Sequence, residues 1–299
     1  MVQTKKKITK ARKGDLIFHL ALLAWPILQF AVFYVAVNLN SFKLAFEAPF
    51  DGAWIDNFKF IFSSAMFPEV LKAVVTSLEF YVITTVISVP LGLLFAYYIY
   101  KKAIGGKVFR FFLFLPSIIS SMVMVVLFQN LMGLGMFDIL KTDKLLFDIT
   151  SRSSYVPIII FYIWTNFGTT TLIYSNKMGE LPPETIEAAQ LDGVNSVQEF
   201  FYIVLPFAFP TVSVFLVTGL ATIFSNQYNL FSFFGGTIAF DSGTMGYYLF
   251  NLVQDYASNG IFDVVAYNRA AALSLVITII VIPITLSVRW LLEKYGPQD

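Results

Sequence analysis

Two sets of residues in this sequence have types and spacings suited to chemistry. The first is the run 180–206, which reads Glu-Leu-Pro-Pro-Glu-Thr-Ile-Glu-Ala-Ala-Gln-Leu-Asp-Gly and continues to Leu205-Pro206. Glu184, Glu187 and Asp192 surround the small side chains of Ala188 and Ala189, and Gly193 follows directly. No histidine or cysteine accompanies these carboxylates. Their chemistry is therefore contact rather than turnover: a narrow acidic surface that a second protein can approach down to the backbone. The competing reading is a solvated acidic linker helix. The second set is neutral. Ser117, Ser120 and Ser121 follow Pro116, then come Thr165, Asn166, Thr169 and Thr170, then Thr218, Thr222, Ser225, Asn226, Gln227 and Asn229. All lie in or beside apolar stretches, where a polar group is costly without a role. Hydroxyls and amides suit a polyol such as a sugar, and Trp164 and Tyr228 offer rings for stacking. Against that, Ser and Thr also bond their own helix backbone, and the 226–229 cluster fits equally well outside the apolar stretch.

Several chemistries are excluded. There is no cysteine, so disulfides and thiolate sites are absent, and the single histidine, His19, leaves neither zinc chemistry nor a catalytic triad. No metal site is expected. Gly105-Gly106-Lys107-Val108 lacks the spacing, the following Ser or Thr and the preceding strand of a nucleotide-binding loop, so it reads as a basic turn. Glu79, inside an apolar stretch, could serve as an ion site, but snorkelling or pairing with a neighbour accounts for it more simply.

The elements that must carry these residues follow from composition. Of 299 residues, 57% are hydrophobic and 13% charged, against about 25% charged in a soluble domain. The mean hydropathy is +0.72. A soluble enzyme, a nucleic-acid binder and a disordered chain are all excluded. Crossing a membrane takes about 20 apolar residues, and six stretches qualify, at about 16–37, 73–100, 111–133, 155–176, 203–225 and 270–292. The expected fold is an all-α membrane protein of six transmembrane helices. The first stretch is too long, and lacks the cleavage site, for a signal peptide. Thirteen Lys and Arg fall on one side of this arrangement and seven on the other. The positive-inside rule then puts both termini, and the run 180–206, in the cytoplasm. Pro26, Pro90, Pro116, Pro157, Pro206, Pro210 and Pro283 lie within the spans and predict kinks or interruptions. Residues 1–15 form a basic leader, 16–292 the membrane domain and 293–299 a tail. In the run itself, Pro183 suits a helix start, Glu184 its first turn and Gly193 its stop, which predicts two to three turns and then a bend.

This run resembles the EAA loop of permease subunits of binding-protein-dependent ABC importers. Glu187-Ala188-Ala189, Asp192-Gly193, Ile203 and Leu205-Pro206 carry the match. Softer motifs resemble the carbohydrate, maltose-type branch: Trp54-Ile55-Asp56-Asn57-Phe58, Lys72 to Leu78, Leu115-Pro116, and Arg269 to Ser274. Ser117 departs from the aromatic residue common after that proline, and the 38–72 and 134–154 loops are short. The resemblance implies a type I permease-like bundle in a prokaryotic plasma (inner) membrane. It implies that Glu184, Glu187, Ala188, Ala189, Asp192, Gly193, Leu205 and Pro206 form a coupling helix and its anchor, docked in a separate dimeric ATPase that binds the ATP and Mg. It also implies a second six-helix permease and an external solute-binding protein. The chain itself would bind no cofactor and no nucleic acid. Ser117, Ser121, Thr165, Asn166, Thr169, Thr222, Asn226, Gln227 and Asn229 would line the solute path, with sugar uptake by alternating access. Alternatives are a polyol or glycerol phosphate importer and an ion-coupled secondary transporter.

Overall fold

In lipid no water is at hand to satisfy backbone polar groups, so an apolar chain that crosses a membrane must close its hydrogen bonds within each segment. The computed structural model describes residues 10–47, 52–132, 155–236, 243–258 and 264–297, and every regular element among them is helical. Helix α1 (Lys10–Gln29) passes through a π-helical stretch, Phe30–Ala36, into α2 (Val37–Ala45). Then come α3 (Asp56–Ile61), α4 (Phe67–Tyr100), α5 (Gly106–Ile118), α6 (Ser121–Leu131) and α7 (Tyr155–Met178). The second half holds α8 (Pro183–Leu191), α9 (Ser196–Glu199), a π-helical turn at Phe200–Val204, α10 (Leu205–Ala221), α11 (Leu230–Phe234), α12 (Met245–Ser258) and α13 (Val264–Tyr295).

Among the described residues five helices are long and apolar enough to cross a membrane, and a bent pair, counted as one broken span, brings the number to six. The first span runs over Ile17–Ala45, longer than expected, and none of its most apolar window is buried. The second starts at Phe67 rather than 73, because Pro68 and Glu69 suit a helix first turn. The third differs most from expectation. Instead of one rod over 111–133 there are two helices bent by 109°. The break falls at Ile119 (ψ 142°) and Ser120 (ψ 135°), both extended. Pro116 removes an N–H from the last turn of α5, and the Ser120 carbonyl starts α6 by accepting the Met124 N–H at 3.0 Å. Pro26, Pro90, Pro210 and Pro283 lie inside unbroken helices.

Three apolar clusters hold the bundle. One gathers Phe80, Phe128, Ile158, Phe161, Tyr228 and Tyr247. A second packs Ala45, Ile61, Ala73, Met245, Tyr248 and Leu273. The third, Leu93, Ala96, Tyr174, Met178, Phe200, Val204 and Ala208, joins α4, α7 and α10 at the end that carries residues 180–206. Small residues let helices approach closely in membranes. At Gly168 of α7 an added Cβ would lie 1.9 Å from the Leu113 carbonyl oxygen of α5, so the two backbones touch there. Leader residues 1–9, the loop 134–154, and 237–242 and 259–263 of the long loop before the last span lie outside the described residues.

Candidate functional site

The run 180–206 folds as a short helix held by two stops. Pro182 is extended (ψ 130°) and its carbonyl accepts the Thr185 N–H at 3.1 Å, while Pro183 occupies the first turn of α8 beside Glu184. The helix ends at Gly193, whose φ of +79° is open to glycine at little cost. The Asp192 N–H reaches Ala188 O at 3.1 Å, Gly193 N–H reaches Gln190 O at 3.1 Å, and Val194 N–H reaches Ala189 O at 3.0 Å, so the last carbonyls are satisfied. Asn195 restarts the chain with a capping box, its Oδ1 accepting from Val197 and Gln198 N–H at 3.1 and 2.9 Å.

One side of α8 is anchored and the other is free. Leu181 and Ile186 are buried. Glu184, Glu187, Ala188, Asp192 and Gly193 are exposed, Ala189 is half-buried, and Leu191 is 90% exposed. Leu205 and Pro206 are half-buried at the head of α10. Between α8 and the turn that joins α4 to α5 lies an open cleft of about 1120 Å³, with Lys102 and Arg110 on one wall and Glu180 and Glu187 on the other.

Sequence reasoning missed the residues that fix this segment to the bundle. Glu199 is 3% exposed, and its carboxylate takes Lys101 Nζ at 2.9 and 3.0 Å. The Tyr97 hydroxyl donates toward Glu199 Oε1 at 3.1 Å. A signal was present: Glu199 is the only carboxylate between Asp192 and Asp241, and it stands where the chain turns apolar. A buried charge there requires a partner.

The solute-path residues are scattered, and most bond their own helix. Ser117 and Ser121 flank the bend at Ser120, both exposed, and the Ser117 hydroxyl donates to Phe114 O at 2.7 Å. Thr165 bonds Phe161 O at 3.0 Å, Asn166 bonds Tyr162 O at 2.9 Å, and Thr222 bonds Thr218 O at 3.0 Å. Thr169 is exposed on α7. Asn226 is a structural knot. Its amide donates to the Tyr162 hydroxyl at 2.9 Å, its Oδ1 accepts the Tyr228 N–H at 2.9 Å, and its carbonyl takes Thr244 Oγ1 at 3.1 Å. Gln227 and Asn229 are half-buried, and Tyr228 and Asn229 both have positive φ, 51° and 62°. Tyr162 is thus where the span-four polar residues meet the 226–229 turn. Tyr228 is 3% exposed, with Tyr162 4.6 Å and Phe80 5.1 Å from its ring, so its faces are taken and it is closed to a sugar. Trp164 remains 42% exposed.

Residues 88–297 match the profile of the family described as the inner membrane component of binding-protein-dependent transport systems. The chain belongs to that family. This permease is 30% identical to the probable ABC transporter permease protein YesP of Bacillus subtilis, over 92% of each chain. It is 24% identical to the multiple sugar-binding transport system permease protein MsmF of Streptococcus mutans, over 89% of this chain and 88% of the relative. Its fold matches a chain of a bacterial ABC transporter involved in import of the acidic polysaccharide alginate, with a TM-score of 0.79 and 21% identity, covering 96% of this chain and 98% of that one. The permease is a multi-pass transport component rather than an enzyme, and its helical bundle is that of ABC importer permeases.

Proposed function

We propose that the permease is the membrane-spanning subunit of an ATP-driven importer for a neutral sugar or oligosaccharide, working by alternating access. The observation that carries the coupling role is α8. An acidic, alanine-faced helix stands exposed at one end of the bundle, and its buried residue Ile186, with Leu181 just before it, lines the same cleft as Tyr100 of α4 and Ser175 of α7. In this reading both termini and α8 face the cytoplasm. Residues 1–15 are the leader, 16–292 the membrane domain and 293–299 the tail. Glu184, Glu187, Ala188, Ala189, Asp192 and Gly193 dock on a dimeric ATPase, and Leu205-Pro206 carry the movement into span five. ATP and Mg stay with that partner. A two-state bundle biased by differential contacts is what such coupling needs.

The first span packs on the bundle at its Ala45 end, but its most apolar window is entirely unburied, which supports a second permease subunit as a neighbour, since that stretch leaves its sides to lipid or to a partner. An external solute-binding protein completes the assembly, in keeping with the family description. Sugar specificity draws support from the name of the MsmF relative and from the neutral hydroxyls and amides along α7 and α10. Charge argues for a neutral solute over a glycerol phosphate, because the middles of the spans hold no Lys or Arg to meet a phosphate. Ser117, Ser121, Thr165, Asn166, Thr169, Thr222, Asn226, Gln227 and Asn229 remain the proposed path.

The test is purification of the tagged permease from cells that express the whole operon-encoded transporter, followed by uptake of labelled sugars into proteoliposomes loaded with ATP. Co-elution of an ATPase and ATP-dependent sugar uptake support the reading. Gradient-driven uptake by the polypeptide alone would overturn it in favour of a secondary transporter.

A further inference from the structure

The tie between Lys101 and Glu199 joins two elements that sequence separates by 98 residues, the C-terminal end of α4 and the arm that leaves α8. Glu199 lies six positions past the left-handed Gly193 and directly ahead of the π-helical turn that leads to Pro206. Both carboxylate oxygens are engaged by Lys101, at 2.9 and 3.0 Å. The Tyr97 hydroxyl sits 3.1 Å from Glu199 Oε1 and 3.1 Å from the Ser196 carbonyl, so one proton serves two acceptors on α9. Phe200, next in the chain, packs its ring 5.2 Å from that of Tyr97. Lys101 is favourably placed at a helix C-terminus, where the backbone carbonyls attract a cation. A carboxylate this buried has no solvent to fall back on if its partner leaves.

We infer that Glu199 is a positioning residue for coupling: its ion pair with Lys101 clamps the arm between α8 and span five to the inner end of span two. A displacement of α8 then moves both spans as one body. The inference rests on the coupling role proposed for α8. Apolar packing alone would hold the arm near α4, but it would let α9 slide along a smooth surface. A two-point carboxylate grip, with the hydroxyl of Tyr97 as a third contact, fixes the register.

The experiment uses the full transporter, with both permeases, ATPase and binding protein, reconstituted in proteoliposomes. Solute moved per ATP hydrolysed is measured for wild type, Glu199→Gln, Lys101→Met and the apolar pair Lys101→Met/Glu199→Leu. Thermal unfolding of each purified complex is followed in parallel. Both single variants are expected to lose at least about fivefold in that ratio, the low end of the range for coupling between sites. The apolar pair, which repacks without a buried charge, is expected to unfold at the wild-type temperature yet stay uncoupled. A wild-type ratio in Glu199→Gln overturns the inference. So does a wild-type ratio in the apolar pair, which would mean that packing suffices. Failure of the underlying reading looks different: the wild-type permease itself would carry solute with no ATPase present.

Discussion

Replacing Gly193 isolates a single physical term. The position has a φ of +79°, and nothing lies within 4 Å of where a Cβ would stand. Within the permease itself size therefore costs nothing there, and backbone conformation carries the penalty. An ordinary L-residue in the left-handed region costs about 1–2 kcal/mol, while Asn is among the few that visit it readily. A penalty of that size shifts a two-state balance about 5- to 30-fold. The balance at stake is between the turn that lets Val194 N–H close on Ala189 O at 3.0 Å and a helix that runs on past Leu191. Running on would swing Asn195 and its capping box away from α4. The expected order of damage is Asn below Ala below Val, read as ATPase retained on the purified permease and as ATP-driven uptake. Membrane insertion, checked by detergent size-exclusion, stays normal in all three. If Gly193→Asn were as damaging as Gly193→Val, size rather than φ would be at work and the argument would fail. Normal uptake in Gly193→Val would also refute it, because the stop at Gly193 would then have no part in positioning the arm.

Gly168→Ala is expected to be destabilising by about 1–3 kcal/mol, the usual cost of overpacking. The new methyl would meet Leu113 O at 1.9 Å, where 3.4 Å is ordinary contact, and backbone atoms cannot rotate away. A lowered unfolding temperature in detergent checks it. Asn57→Ala should cost about 1–3 kcal/mol, since its amide donates to Ala45 O at 3.2 Å and Glu47 O at 2.9 Å and both carbonyls lose a donor. The same thermal assay, compared with an exposed Asn38→Ala control, reads this out. Asp56 accepts the Ala53 N–H at 2.7 Å and lies 3.0 Å from Lys59, and these hold its carboxyl below the ordinary 3.8. A depressed folded value means that this contribution to stability is present above the unfolded value and is lost as pH falls through the folded one. Carboxyl NMR should therefore show Asp56 titrating below 3.8, and Lys59→Met should raise it only part of the way, because the Ala53 amide is the larger cause.

How much of this was legible in the sequence depends on the range of the interaction. Apolar length picked out five spans and the bent pair because the membrane imposes it locally, and Pro183 and Gly193 marked the ends of α8 because first turns and left-handed stops are one-residue requirements. The bend in the third span was half legible. Pro116 announced trouble, but the chain gives way three to four residues later, at Ile119 and Ser120, where backbone and packing decide rather than residue type. The solute path was least legible. Serine and threonine in an apolar run look alike whether they face a solute or their own helix, and only the carbonyl partners of Thr165, Asn166 and Thr222 separate the cases. Glu199 stood out as a lone carboxylate where the chain turns apolar, but its partner Lys101 was not legible because no local pattern spans 98 residues.

The mechanical consequence lies in α4. At 34 residues and 1.5 Å per residue it is a rod of about 51 Å, and it passes Pro90 without a break. Each part of it is gripped by a different body. Near its start, Ser77 Oγ accepts the Met245 N–H at 2.7 Å, which ties it to α12. Next along, Tyr81 donates to Leu216 O of α10 at 2.9 Å. Past its middle, Leu93 and Ala96 join the cluster with Tyr174 and Phe200, and at its end Lys101 holds Glu199. In the proposed coupling, a force applied through Glu199 would reach α12 along the same rod without passing through any loop. Flexing α4 at Pro90 would dissipate it. A second helix-breaking residue, Leu91→Gly, is expected to weaken coupling while leaving the Lys101–Glu199 and Ser77–Met245 contacts in place. Cross-linking across each contact, scored alongside ATP-driven uptake, tests this: intact cross-links with unimpaired uptake would mean that the rod is not the transmission.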